Sequence, residues 1–110
     1  MNHQEYKTLF AVSPREFKQM DTEELRENFL LEHIFEPNKI TLNYTHYDRL
    51  IVGGASPVDS ALELTSIDSL KAEYFLERRE LGIINVGAAG IVIADEVEYK
   101  LENKEALYIG

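Results

Sequence analysis

The chain has 110 residues, 11 of them basic and 20 acidic, for a net charge of −9. This length suits one domain with one core, and the acidic balance excludes nucleic acid and anionic membrane surfaces as favoured partners. The absence of cysteine excludes disulfides and thiolate metal sites. No apolar run has the length of a signal peptide or a membrane span, so we expect a cytoplasmic protein.

Two short helices are predicted near the amino end. Ser13 precedes Pro14, and Glu16 follows at capping-box spacing, which predicts a helix that begins at the proline. Asp21 and Glu24 repeat this pattern for a second helix, which we expect to end near Phe29. The segment before Ser13 has no clear signal. We therefore assign residues 1–29 to an arm with two short helices and residues 30–110 to a β domain.

From residue 30 the hydrophobic pattern changes to the alternation of β-strands. Gly87-Ala-Ala-Gly90 predicts a tight hairpin turn, because a strand follows it, whereas a phosphate-binding loop needs a helix there. About eight short strands with turns between them predict a mainly β fold, an antiparallel sandwich or barrel. The predicted strand segments are 30–35, 40–47, 50–52, 61–65, 74–77 with 81–86, 91–93, 97–101 and 106–109.

The last predicted strand is apolar and has no polar residues after it. A sheet edge of that kind is normally blunted or covered. We therefore expect the chain to be part of a longer protein, with residues beyond 110 needed to complete the barrel.

The histidines do not predict a metal site. His3, His33 and His46 are isolated from one another in sequence, and no thiolate supports them. His46 lies in a predicted strand beside Tyr47, Asp48 and Arg49. A partly buried histidine held by a carboxylate or a carbonyl is the favoured interpretation of His46, with a metal ligand or catalytic base as the alternative.

Two arginines, Arg78 and Arg79, lie between Glu77 and Glu80, just before the predicted hairpin. The favoured interpretation is a cluster in which the charges neutralise one another. The alternative is that one arginine binds a substrate carboxylate through two parallel hydrogen bonds. Arg49 is the third candidate for this role, and no residue is assigned a catalytic function.

Some of these residues resemble the cupin barrel. Glu80 and Gly87 have the spacing of the glutamate and glycine in the first cupin motif, and Tyr108-Ile109-Gly110 resembles the end of the second. The cupin metal histidines would fall near residues 73–76, where this sequence has Glu-Tyr-Phe-Leu. The resemblance implies a cupin-like jelly roll without its own metal site.

Four blocks of the sequence together carry a more specific resemblance: Asp21–Leu30, His46–Gly54, Tyr74–Gly90 and Ala106–Gly110. In this order they resemble the family of 4-deoxy-L-threo-5-hexosulose-uronate ketol-isomerases, over nearly the whole chain from Ser13. Ala88 and Glu96 depart from this family, which tends to have glycine at both positions.

The resemblance implies that the chain is the N-terminal part of a two-cupin, zinc-dependent enzyme of pectin and uronate breakdown. Such an enzyme converts 5-dehydro-4-deoxy-D-glucuronate to 3-deoxy-D-glycero-2,5-hexodiulosonate by proton transfer through an enediol, with the metal polarising the carbonyl. The family's zinc ligands, three histidines and a glutamate, lie in the second cupin domain, and no position of this sequence matches them.

The resemblance also implies that this chain packs on that C-terminal cupin domain and takes part in a homo-oligomer. We expect the 110 residues alone to bind no zinc and to be inactive. The alternative is a free-standing, non-catalytic cupin-like module for assembly or sugar binding.

Overall fold

The computed structural model describes residues 4–110, so His3 lies outside the described residues. The chain divides into two compact units, Met1–Thr65 and Ser66–Gly110. The fold is mainly β, with two α-helices and mostly antiparallel strand pairs, as predicted. The cupin-like jelly roll and the domain boundary at residue 29 remain predictions.

Both predicted helices are confirmed. Helix α1 (Pro14–Phe17) has a capping box, in which Glu16 N donates to Ser13 Oγ at 3.1 Å. Helix α2 (Thr22–Phe29) has another, in which Glu24 N donates to Asp21 Oδ1 at 2.8 Å. Each cap satisfies a backbone N–H that the first helical turn leaves without a partner.

Strand β1 (Gln4–Leu9) was not predicted. It pairs in parallel with β2 (Ile40–Thr45), and β2 pairs in antiparallel fashion with β3 (Ile51–Ala55). The prediction of a wholly antiparallel fold is therefore wrong at this pair. Two helices lie in the connection from β1 to β2, and a connection of that length lets the second strand run in the same direction as the first.

Strand β2 is the centre of the first unit. Ile40, Leu42 and Tyr44 are buried, and so are the polar Asn43 and Thr45. The Asn43 amide donates to the carbonyl of Val52 on β3, and Thr45 Oγ1 donates to the carbonyl of Leu50. Strand β2 thus has buried side chains on both of its faces. Asn43 and Thr45 keep hydrogen-bond partners, whereas Thr41 Oγ1 is buried without one among the described residues.

The predicted strand over residues 30–35 is wrong, because the structure has no strand there. Instead this segment passes close to β3 at Gly54, where an added Cβ would overlap the Ile34 carbonyl and the Phe35 ring. The absence of a side chain at Gly54 allows this approach. The predicted strand over residues 61–65 is also wrong.

The second unit begins with a 3-10 turn at Asp68–Leu70 and then contains four strands. The predicted strand over residues 74–77 is wrong, since these residues form turns and bends. The strands are β4 (Leu81–Ile84), β5 (Gly90–Ala94), β6 (Val97–Leu101) and β7 (Ala106–Ile109).

The hairpin predicted across residues 87–90 is also wrong. Strand β4 pairs with β7, and β5 pairs with β6, so the strands on the two sides of Gly87 do not pair with each other. The β4–β7 pairing continues for one further residue, where Asn85 N donates to the Glu105 carbonyl at 2.9 Å. Residues 85–89 then separate β4 from β5, opposite residues 102–105, which separate β6 from β7.

The side chain of Asn85 joins the segment after β4 to the end of β6. Its Nδ2 donates to the carbonyls of Ala88 and Leu101, both at 2.9 Å, and its Oδ1 accepts from Gly87 N at 2.9 Å. The segment after β4 is thereby fixed against the end of β6 by side-chain hydrogen bonds. An interaction of this kind is not visible in hydrophobic periodicity, which explains the wrong hairpin prediction.

A two-residue turn connects β5 and β6. Its central residues, Asp95 and Glu96, both have positive φ, at 49° and 66°. Positive φ at both central positions is typical of the type I′ turn, whose twist matches that of a hairpin. Glycine fits the second position without strain, and this chain has glutamate there.

Candidate functional site

The loop from Ser66 to Glu80 carries two of the three candidate arginines. Its two buried side chains, Ile67 and Phe75, anchor it, and the loop between them is mostly polar. Lys71 ends the 3-10 turn with a φ of 50° and forms an ion pair with Asp68 at 3.2 Å. Because Ile67 and Phe75 are buried, the residues between them are held at the surface with their charged groups exposed.

Arg78 reaches back across this loop. Its Nη1 donates to the carbonyl oxygen of Lys71 at 3.2 Å, and its Nη2 lies 3.7 Å from Glu77 Oε2. The Arg78 side chain is still 69% exposed, so the ion pair with Glu77 is only a weak electrostatic interaction. The hydrogen bond to Lys71 gives Arg78 a role in holding the loop closed.

A cleft of about 580 Å³ lies beside Arg78. Its charged walls comprise two cations, Lys71 and Arg78, and three carboxylates. Because carboxylates outnumber cations in its walls, the cleft repels anions and is poorly suited to binding a substrate carboxylate. The lining residues are Ser66, Ile67, Asp68, Lys71, Ala72, Glu73, Glu77 and Arg78.

Arg79 is half-buried and has interactions of its own, so it is not a free cation. Its neighbour Glu80 forms a hydrogen bond with the hydroxyl of Tyr108 on β7, and this bond raises the pKa of Tyr108 above its usual 10.0. A carboxylate acceptor favours the protonated phenol, which explains the direction of the shift. The predicted neutralised cluster is thus only one part of the arrangement, because Glu80 also interacts with a tyrosine far along the chain.

Arg49 lies in the other unit, in the turn between β2 and β3. Arg49 and its neighbour Asp48 both have positive φ, at 57° and 55°. Arg49 is exposed, and it too has interactions of its own. The structure therefore brings Arg78 and Arg79 together in one loop and leaves Arg49 in a different unit.

The surroundings of His46 differ from those predicted. The imidazole is exposed and stacks on Phe10, with ring centroids 4.8 Å apart and the planes 19° from parallel. Tyr44 lies on a second side, with a centroid distance of 5.5 Å. The predicted partly buried histidine with a carboxylate or carbonyl partner is wrong, since His46 is exposed and lies against two aromatic rings.

No three histidine, aspartate or glutamate side chains among residues 4–110 converge in a way that could hold a metal ion. His46 stacks with aromatic rings, and His33 is exposed with Glu32 3.7 Å away. These donors do not fit the tetrahedral zinc set of three histidines and a glutamate that the family resemblance implies.

In the part of the chain that the structure describes, no helix is both long and apolar enough to cross a membrane.

No family model matches the chain. Comparison with curated proteins gives similarities that cover nearly all of it. A 4-deoxy-L-threo-5-hexosulose-uronate ketol-isomerase of Formosa agariphila is 54% identical over 105 residues, which are 96% of this chain and 38% of that protein. The chain is homologous to the N-terminal segment of these ketol-isomerases.

Two further ketol-isomerases support the same assignment. That of Bacillus subtilis is 50% identical over 92% of this chain, and ketol-isomerase 1 of Bacteroides thetaiotaomicron is 49% identical over 96% of it. The chain spans only 37% and 38% of the length of these relatives. Most of each ketol-isomerase therefore has no counterpart in this chain.

Proposed function

We propose that this chain is the N-terminal, non-metal-binding domain of a 4-deoxy-L-threo-5-hexosulose-uronate ketol-isomerase. The observation that carries the proposal is 54% identity to such an enzyme over 96% of the chain. The longer protein would interconvert 5-dehydro-4-deoxy-D-glucuronate and 3-deoxy-D-glycero-2,5-hexodiulosonate in the cytoplasm, as a step in pectin and uronate breakdown. Zinc would be bound by residues outside this chain, in a second cupin domain.

Within that enzyme, we assign this chain a role in assembly. Several large apolar side chains are exposed, among them Phe10 at 70% and Ile84 at 68%. Exposed apolar side chains mark contacts with other protein surfaces where they form a contiguous patch. We propose that they pack against the cupin-like remainder of the enzyme and against other copies in a homo-oligomer.

The first test is the intact mass of the protein as its own cell produces it. We expect a mass well above the 12.6 kDa of this chain, because the matched enzymes are much longer. A mass equal to that of this chain would contradict the proposal and favour a free-standing module for assembly or sugar binding.

The second test compares the longer protein with its segment 1–110, both purified from the same host. We expect ketol-isomerase activity and about one zinc per chain in the longer protein, and neither in the segment. Zinc is measured by elemental analysis after dialysis against a weak chelator. Stoichiometric zinc in the segment, or isomerase activity of the segment alone, would contradict the assignment.

A further inference from the structure

One face of the β5–β6 hairpin is exposed and mainly apolar along β5. Ile91 and Ile93 are each 61% exposed, although they are branched aliphatic residues in a strand. Their directly opposite cross-strand partners are Lys100 and Glu98, which are exposed as well. On the other face, Leu101 is buried, whereas Val97 and Tyr99 are 49% and 39% exposed. The first face therefore has an apolar row on β5 beside a charged row on β6, and we call it the Ile91–Lys100 face.

The charged row contains one acid and one base, two residues apart. Glu98 and Lys100 point to the same side of β6, because side chains in a strand alternate. Lys100 Nζ lies 3.7 Å from Glu102 Oε1, and both of these side chains are mostly exposed. Such an exposed ion pair holds the lysine only weakly.

Two copies can be placed with these faces against each other, related by a two-fold axis that lies in the plane between the faces and runs perpendicular to the strands. In this arrangement the apolar row of each copy faces the apolar row of the other, and the charged row faces the charged row. The axis reverses the strand direction, so Ile91 of one copy faces Ile93 of the other. On β6, Lys100 of each copy then faces Glu98 of the other. The same patch on both partners is the requirement of an isologous dimer, and opposite charges at facing positions select this register.

We propose that the Ile91–Lys100 face binds a second copy of this chain in this two-fold arrangement. The proposal specifies the surface for the homo-oligomer in the proposed function, and it holds whether or not the longer protein is an isomerase. The two rows of the face contain four side chains, far fewer than the roughly 20–30 residues that each partner contributes to a stable interface. The 110-residue chain alone should therefore associate weakly and in a concentration-dependent manner.

Two charge reversals test the proposal. Glu98→Lys gives the face two lysines, and Lys100→Glu gives it two glutamates, so each variant by itself brings like charges together across the axis. Sedimentation equilibrium of the 110-residue chain over a concentration series, at about 0.15 M salt, measures association. We expect each variant to associate at least about tenfold more weakly than the unchanged chain, and an equimolar mixture of the two to associate again.

Glu27→Lys is the matched control, because Glu27 is exposed on α2 and its reversal makes the same change in net charge as Glu98→Lys. The control should associate at least as well as the unchanged chain, since a less negative chain repels its copies less. Circular dichroism confirms that every variant is folded. Unaltered association of the two single variants, or no recovery in their mixture, would overturn the proposal. An unchanged 110-residue chain that stays monomeric at every concentration would overturn the proposal as well, and that result is expected if this face contacts another part of a longer polypeptide instead.

Discussion

At the scale of single residues, Arg78 is the candidate whose contacts define a role. Its hydrogen bond to the Lys71 carbonyl closes a polar loop, and the adjacent cleft carries more carboxylates than cations. Both observations favour a structural role over binding of a substrate carboxylate. Substrate binding by Arg49, Arg78 or Arg79 remains a prediction until it is tested in the active enzyme.

We predict that Arg78→Ala in the longer protein lowers the free energy of unfolding by about 0.5–1.5 kcal/mol, the usual net value of one hydrogen bond. The Michaelis constant should stay within about twofold of normal, which corresponds to less than 1 kcal/mol of lost binding. Denaturant unfolding and steady-state kinetics measure the two effects. Arg79→Ala and Arg49→Ala serve as comparison variants. A tenfold rise in the Michaelis constant of a fully stable variant would show that the substituted arginine contacts the substrate.

At the scale of secondary structure, the starts of the helices could be predicted from the sequence, and the pairing of the strands could not. Both helices begin at the predicted residues because each capping box involves side chains only three positions apart. The partner of β4, by contrast, depends on hydrogen bonds between Asn85 and residues up to 20 positions away in sequence. The alternating pattern of β4 fits β5 and β7 equally well, so the sequence could not reveal the pairing.

Asn85 provides the test at this scale. Asn85→Ala removes three side-chain hydrogen bonds and leaves the Leu101 carbonyl, which is half shielded from water, without this donor. We predict a loss of about 2–3 kcal/mol in the free energy of unfolding, from three bonds of about 1 kcal/mol each.

Asn103→Ala is the matched control, since the Asn103 side chain donates one hydrogen bond, to the Gly87 carbonyl. That variant should lose about 1 kcal/mol. Equal losses in the two variants, measured by urea unfolding, would show that Asn85 is not what holds the segment after β4 against the end of β6.

At the scale of the whole molecule, stability should fall at alkaline pH. Hydrogen bonds from Lys39 to Glu5 and Glu36, at 2.8 and 3.1 Å, raise the pKa of Lys39 above its usual 10.5. A raised lysine pKa means that the folded chain holds the proton more tightly than the unfolded chain. The resulting stability is fully present below pH 10.5 and is lost as the pH rises through the higher folded value.

We predict that Lys39→Met destabilises the chain at about pH 8 and that the difference from the unchanged chain shrinks above about pH 10.5. Denaturant unfolding across this range measures the difference. The raised pKa of Tyr108 acts in the same direction, because the protonated phenol is the form that Glu80 stabilises. Tyr108→Phe is therefore needed as a parallel variant. A constant difference between Lys39→Met and the unchanged chain up to about pH 12 would contradict the role of Lys39.

The mainly β class could be predicted from composition and spacing, which act over the whole chain. The parallel β1–β2 pair could not be predicted, because an edge strand such as Gln4–Leu9, with polar residues at most positions, has little periodic signal. Its register with β2 joins residues that are 36 positions apart, from Gln4 with Ile40 to Leu9 with Thr45, which local propensity does not reveal.

Gln4 and Thr65 exchange two hydrogen bonds: the glutamine amide donates to the Thr65 carbonyl at 2.8 Å and its oxygen accepts from Thr65 N at 2.9 Å. The Gln4 side chain thus binds both the backbone C=O and the backbone N–H of a residue 61 positions away, as a neighbouring strand would. The two ends of the first unit, at Gln4 and Thr65, consequently lie next to each other. This arrangement suits circular permutation, with a short linker joining the ends and new termini opened in the exposed turn at Asp48–Arg49.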